Sequence, residues 1–183
     1  VVLEAKDTPD APVTPDRVKQ AMAIIETRVN AFGVAEPIVQ MEGSRRIIVE
    51  LAGINDPDEA VRNLIKTAYL EFKTEDGTTV LTGRQLKNAV EGKNPQTGEA
   101  EVNLEFEPDG AKIFAEVTAK NVGKRLAIVL DGNVIQSPGI REPIPNGRAQ
   151  ISPYESLDEA HNIAILLRSG SLPVKLEVME ERT

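Results

Sequence analysis

The sequence predicts an α+β protein of two lobes: a ferredoxin-like (βαββαβ) first lobe and a second, smaller α+β lobe, with antiparallel or mixed sheets packed by helices. Three observations carry this expectation. Residues 1–73 alternate strand and helix periodicity in the order β-α-β-β-α-β. Over residues 74–100 the composition shifts to glycine, threonine, asparagine and glutamate, which marks a crossing into another lobe. The same element order then recurs around residues 116–132, where the unbroken apolar run 126–130 requires a strand covered on both faces.

In chain order, residues 1–5 read as a strand, and a polar, proline-punctuated link leads to Thr14-Pro15-Asp16, a helix start with Thr14 as its cap. Val18, Met22, Ile25, Val29 and Phe32 recur at helical spacing until Gly33, so this helix lies on a sheet. Residues 37–41 and 46–51 form a hairpin about Gly43-Ser44, with Ile47, Val49 and Leu51 on one face. Asp56 caps the next helix with Glu59 placed for a capping box, and Val61, Leu64 and Ile65 point inward. Residues 69–73 complete the pattern as a strand with Leu70 and Phe72 on one face.

The second half opens with one short helix expected over residues 83–90, started by Thr82 and its partner Gln85. Val102, Leu104 and Phe106 alternate with Glu101, Asn103, Glu105 and Glu107, a strand with one wet face. The helix after Pro108 carries an apolar arc of Ala111, Phe114, Ala115, Thr118 and Val122 and stops at Gly123. Asp131-Gly132 turns the central strand back through Val134 and Ile135, and Asn146-Gly147 turns into Ala149 and Ile151. Ser156 caps the last helix with Glu159 as capping-box partner; Ala160, Ile163, Ala164 and Leu167 face inward, and Gly170 ends it. A final strand alternates Val174, Leu176 and Val178 with charged residues.

A chain of 183 residues buries roughly 70% of its unfolded surface, so it needs neither metal nor disulfide to hold together. A net charge of −8 opposes a phosphate backbone, and 3% aromatic residues leave few platforms for bases, which argues against nucleic acid as a partner. Zero cysteines remove disulfide and thiolate chemistry. The apolar runs are too short to span a bilayer. The start at Val1, without methionine or charged leader, leads to the expectation of a piece excised from a longer chain.

Catalytic constellations are missing from the sequence. The single histidine, His161, is expected to pair on the surface with Asp158. Ser169-Gly170-Ser171 lacks the flanking pattern of a nucleophile elbow. Gly123-Lys124-Arg125 lacks the upstream glycine and the Ser or Thr of a phosphate loop, and its cations fit a helix C-terminus. Asp56, Asp58 and Glu59, like Asp7 and Asp10, match no calcium spacing, so neither metal nor cofactor is expected. The residues alone leave a generic protein-binding domain, a structural spacer and an unrecognised hydrolase open.

Several stretches together resemble the SecD/SecDF family of protein translocase subunits. Residues 26–34 with Glu36-Pro37 resemble its "RVNxxGVxEP" block, and residues 47–53 followed by Asp56-Pro57 resemble "IxVxLPGIxDP", with Ala52 where the family usually has proline. Residues 67–72, 81–83, 114–132, 141–144, 166–170 and 180–183 continue in the family's order. The resemblance implies the first large extracytoplasmic (periplasmic) domain, cut out between the first two membrane helices of a multi-pass cell-membrane protein. Such a domain holds unfolded preprotein during Sec-dependent export driven by the proton-motive force, alongside SecF and the Sec channel, SecYEG. The family's proton-conducting residues lie in membrane helices, so none is expected here.

The resemblance also implies a membrane-proximal base and a mobile head. The expected base is residues 1–73 and 154–183, and the head residues 74–153. Val134, Ile135, Ile140 and Ile144 are the candidate polypeptide-binding residues, with core packing as their alternative role. Thr74, Glu75 and Gly77 on one crossing, and Ser152, Pro153 and Ser156 on the other, are the candidate hinge. A purely structural spacer or a module docking on the Sec channel without touching cargo remains the alternative function.

Overall fold

The computed structural model describes residues 1–179, so the 180–183 stretch of the resemblance lies outside the described residues. The first elements are β1 (Val2–Lys6), α1 (Pro15–Ala31), β2 (Ile38–Glu42), β3 (Arg46–Glu50), α2 (Pro57–Leu64), β4 (Leu70–Lys73), β5 (Thr79–Thr82) and β6 (Leu86–Lys93). After them come β7 (Ala100–Phe106), α3 (Pro108–Lys120), β8 (Ala127–Leu130), β9 (Asn133–Gln136), β10 (Arg148–Tyr154), α4 (Leu157–Ser169) and β11 (Lys175–Val178). Two units result: unit 1, Val1–Thr67 with the chain from Ser171, and unit 2, Ala68–Gly170.

Unit 1 is an antiparallel sheet in the order β11-β1-β3-β2. The pairings Leu3 with Ile47 and Ala5 with Leu176 place these four side chains on one face. That face is buried with Val18, Ala21, Ile25 and Val29 of α1 and Val61 and Leu64 of α2. Both helices start as the sequence requires: Thr14 Oγ1 accepts from Arg17 N–H, and Asp56 Oδ1 from Glu59 N–H.

One charged residue sits inside this face. Arg28 is 0% exposed, on the same stripe of α1 as Ile25. Its Nη1 donates to the carbonyls of Leu64 and Lys66, both at 2.6 Å, and its Nη2 to that of Thr67 at 3.4 Å. The Leu64 carbonyl is one that the end of α2 leaves without a helical partner, those of Lys66 and Thr67 follow the helix, and Thr67 C=O also accepts from Leu172 N–H. A guanidinium there satisfies them and opposes the negative end of the helix dipole.

The fourth strand expected in the first lobe belongs elsewhere. β4 pairs with β5 and β8 in a second sheet, β5-β4-β8-β9, and β11 takes the place beside β1. β4 and β8 match better because Leu70, Phe72 and Ile128 are all buried in one core. A third sheet, β10-β7-β6, carries α4 on its apolar face, where Ala160, Ala164 and Leu167 meet Ala89, Val102 and Leu104. The expected boundaries therefore move: β4 and α4 belong to unit 2, and the crossings fall at 67–68 and 170–171 rather than near 74 and 153.

The helix expected over residues 83–90 shrinks to one 3₁₀ turn, Gly83–Gln85. The capping box itself forms, with Gln85 Oε1 accepting from Thr82 N–H at 2.8 Å. Beyond it, cross-strand pairing of Leu86–Lys93 with β7 overrides the local helical signal. Val122, expected in the α3 arc, lies past the helix end and is exposed. The Asp131-Gly132 turn forms with φ of +49° and +81°, as a two-residue hairpin requires. Asp131 also accepts from Tyr69 N–H and Ala68 N–H through its two oxygens, at 2.8 and 3.1 Å, fixing the first residues of unit 2.

Candidate functional site

Within unit 2 a cleft of about 810 Å³ opens between the polar face of the third sheet and the segment after β9. Its floor is apolar: Phe72, Leu104, Phe114, Leu126 and Ile128. Phe72 meets Phe106 and Phe114 edge to face, at centroid distances of 5.4 and 6.2 Å, and Phe106 and Phe114 are tilted against each other at 5.1 Å, so the floor rests on a packed aromatic cluster. One wall is the face read from sequence as wet, with Asn88, Asn103, Glu105, Arg148, Gln150 and Ser152. Glu101 on that face departs from the expectation: it is buried, and its Oε2 has no partner among the described residues.

The opposite wall runs through Gln136, Pro138, Gly139, Ile140, Arg141, Glu142 and Ile144. It is held by hydrogen bonds along its length. Gly123 N–H donates to Ile140 C=O and Ile140 N–H to Lys124 C=O, both at 2.8 Å, and Leu126 N–H reaches Pro138 C=O at 3.0 Å. Arg125 Nη1 donates to Ser137 C=O at 2.8 Å. Thr118, fully buried in α3, donates to Phe114 C=O at 2.7 Å and accepts from Ile144 N–H at 2.9 Å. The cleft is thus pre-formed, and its rim balances Arg141 and Arg148 against Glu105 and Glu142.

The four candidate residues separate. Ile140, buried, and Ile144, half-buried, line the cleft and also pack on the core. Val134 and Ile135 stand outside it on β9, 64% and 40% exposed. The six hinge candidates all lie inside unit 2. Thr74, Glu75 and Gly77 form the β4–β5 turn, closed by Thr74 N–H to Thr78 C=O, with the Asp76 carboxylate accepting from Thr74 and Thr78 and Glu75 accepting from Arg125 N–H. Ser152 and Pro153 belong to β10, and Ser156 caps α4 through Glu159 N–H. Glu159 in turn accepts from Glu155 N–H.

His161 pairs across elements, not along its own helix. Its Nδ1 lies 3.0 Å from Glu91 Oε1, because α4 crosses β6 and the strand supplies the carboxylate in place of Asp158. The Glu91 carboxyl is held below its ordinary value, first by its own backbone N–H and then by His161. Burial, and then Glu159, push the Tyr154 phenol up to about 12. Among the described residues no His, Cys, Asp and Glu cluster is arranged to hold a metal ion, and no helix is long and apolar enough to cross a membrane.

Sequence reading missed Thr118, Arg125 and Gln136 as parts of the site. A hydroxyl inside the apolar arc of α3 was the available sign for Thr118; the side chains of the other two bond backbone groups 12 and 16 residues away, a pairing that side-chain type does not announce.

Residues 62–174 match the family model described as the SecDF P1 head subdomain, and residues 18–77 that of the N-terminal part of the SecDF P1 domain. The chain belongs to the SecD/SecDF family. The head model encloses unit 2, and with it the whole cleft. Protein translocase subunit SecD of Acidaminococcus fermentans is 51% identical over 183 residues, covering 100% of this chain and 44% of the relative. SecDF of Thermus thermophilus is 40% identical over 207 residues, covering 92% of this chain and 28% of the relative. The chain therefore spans less than half the length of these SecD/SecDF proteins.

Solved SecDF structures share the fold. One, described as a membrane component that enhances protein export, superposes with a TM-score of 0.86 at 39% identity, covering 100% of this chain and 99% of that one. Another, SecDF in a super-membrane-facing form, gives 0.89 at 38% identity, covering 98% and 29%. The α+β class, with antiparallel sheets packed by helices, agrees with these SecDF structures.

Proposed function

We propose that this chain is the extracytoplasmic domain of a SecD or SecDF subunit and that its unit 2 cleft takes up an extended segment of a translocating preprotein. The cleft itself carries the reading: an apolar floor beneath a polar, charge-balanced rim, already shaped in the free chain. Such a surface favours apolar side chains of any sequence without selecting for charge. The domain acts as a non-catalytic binding module without a cofactor, assisting export driven by the proton-motive force beside SecF and the Sec channel.

Titration of the labelled chain with an unfolded client, monitored through amide chemical shifts, tests this. Shifts confined to 136–144 and 148–152, saturating at micromolar concentration or weaker, about −8 kcal/mol at most, are expected. Silence at roughly millimolar client overturns the reading and favours a spacer.

Movement between the units belongs to the same proposal, with the turning points at 67–68 and 170–171. Leu172 N–H donates to Thr67 C=O at 3.0 Å, so the two crossings run side by side, and Gly170 has a φ of +96°. The chain lacks native cysteine, so spin labels at Gln20 and Thr97 report on units 1 and 2 alone. A single narrow distance distribution, unmoved by polypeptide, refutes the movement.

A further inference from the structure

We propose that the cleft receives its polypeptide as an added β-strand along the outer edge of β10. This inference rests on the reading of the cleft as a polypeptide site and names how the chain is held.

Three hydrogen bonds fix the direction of the β10 backbone. Gly147 C=O accepts from Phe106 N–H at 2.8 Å, so the odd-numbered residues 147, 149 and 151 face β7. Arg148 N–H and Ser152 N–H point the other way, to the side chains of Asn146 at 3.2 Å and Gln136 at 3.0 Å. Gln150, between them, turns its N–H and C=O to the same outer edge, where no strand is paired among the described residues. That edge lines the cleft, beside the apolar floor.

Two further features single out this edge. At Ser152 the amide oxygen of Gln136 occupies the place a neighbouring strand's carbonyl would take, so a side chain already imitates the partner there. At the far edge of the same sheet, Arg168 Nη1 donates to Ala89 C=O at 3.0 Å and blunts β6. The rim adds two arginines and two glutamates, a balance that suits an uncharged segment although the chain as a whole is at −8. Main-chain pairing reads no sequence, so an edge of this kind serves any extended segment, with the apolar floor receiving alternate side chains.

The experiment uses the whole chain and a dodecapeptide of alternating valine and serine as the probe. Gln150→Pro removes the outward N–H without touching a bond to β7, a place where edge strands tolerate proline. It is expected to weaken binding about tenfold or more, and clearly beyond Gln150→Ala, which trims the side chain but keeps the outward N–H. The same peptide N-methylated at two adjacent central residues is expected to lose binding equally. If Gln150→Pro fails to keep the amide spectrum of the folded chain, the N-methylated peptide decides alone. Undiminished binding of the N-methylated peptide overturns strand addition and leaves the cleft reading intact. A wild-type chain that binds neither peptide overturns both.

Discussion

Replacing Arg28 by methionine removes a buried guanidinium while keeping an unbranched apolar stem of similar length. The change removes the Arg28 donor from the carbonyls of Leu64 and Lys66 and a longer second bond from that of Thr67, which still accepts from Leu172 N–H. The Leu64 bond is fully buried, whereas the other two are partly buried and can turn toward water. Charge-assisted bonds contribute about 1.5–3 kcal/mol each, and breaking a buried charged cluster costs about 3–5 kcal/mol in all. We expect a loss in that range, confined to unit 1. Amide hydrogen exchange resolves it, since protection of the α1 and β1 amides should fall by roughly two to three and a half powers of ten while that of β7 stays unchanged. Arg28→Lys keeps the charge but not the planar fork, and should fall between wild type and Arg28→Met. A change below about 1 kcal/mol, or equal loss in both units, would refute the assignment of Arg28 as the terminus of α2.

Three other outcomes are expected from particular side chains. In a Tyr69→Phe background, ultraviolet titration should show the Tyr154 phenol ionising near 12; the stability this neutral phenol contributes is complete below pH 10 and lost as pH rises through the folded value, and Tyr154→Phe should flatten that alkaline fall. Glu91, held below 4.5, stabilises fully above that value and loses its contribution as pH falls through its lower folded value, so Glu91→Gln should lose stability less steeply as acid takes the pH below 4.5. Gly147 has a φ of +67°, and an added Cβ would lie 2.6 Å from Ala111 Cβ, so Gly147→Ala should cost about 2–4 kcal/mol by urea unfolding, with partial recovery when Ala111→Gly is added.

The parts of the fold written in local chemistry were legible in the sequence. Thr14, Asp56, Ser156 and Gly132 each satisfy or turn a neighbouring backbone, and that work needs nothing from the rest of the chain. Strand partnership was not legible in the same way. Leu70 and Phe72 show which face of β4 is apolar but not which sheet receives it, and alternation looks the same beside β1 as beside β8. The capping box at Thr82 is real, yet pairing with β7 makes residues 86–93 a strand.

Arg28 could have been suspected, three residues after Ile25 on a buried stripe, and it is the arginine of the "RVN" block. The cleft was half visible. Ile140 and Ile144 belong to it, but its walls depend on Gln136, Thr118 and backbone groups of residues 123–126, which acquire their role only when the chain has folded.

β1 and β11 are neighbours in one sheet although all of unit 2 lies between them in sequence. During synthesis the N-terminal part of unit 1 must therefore wait, with one edge of β1 unpaired and the Leu172, Val174 and Leu176 side of its core missing. Unit 2 is contiguous and can finish first. Its completion brings residue 67 and residue 172 within a hydrogen bond of each other, so the last strand docks across a short gap instead of closing a long flexible loop. The inserted unit thus acts as a folding clamp for its host, and the assembly rate of unit 1 should track the speed with which unit 2 becomes native.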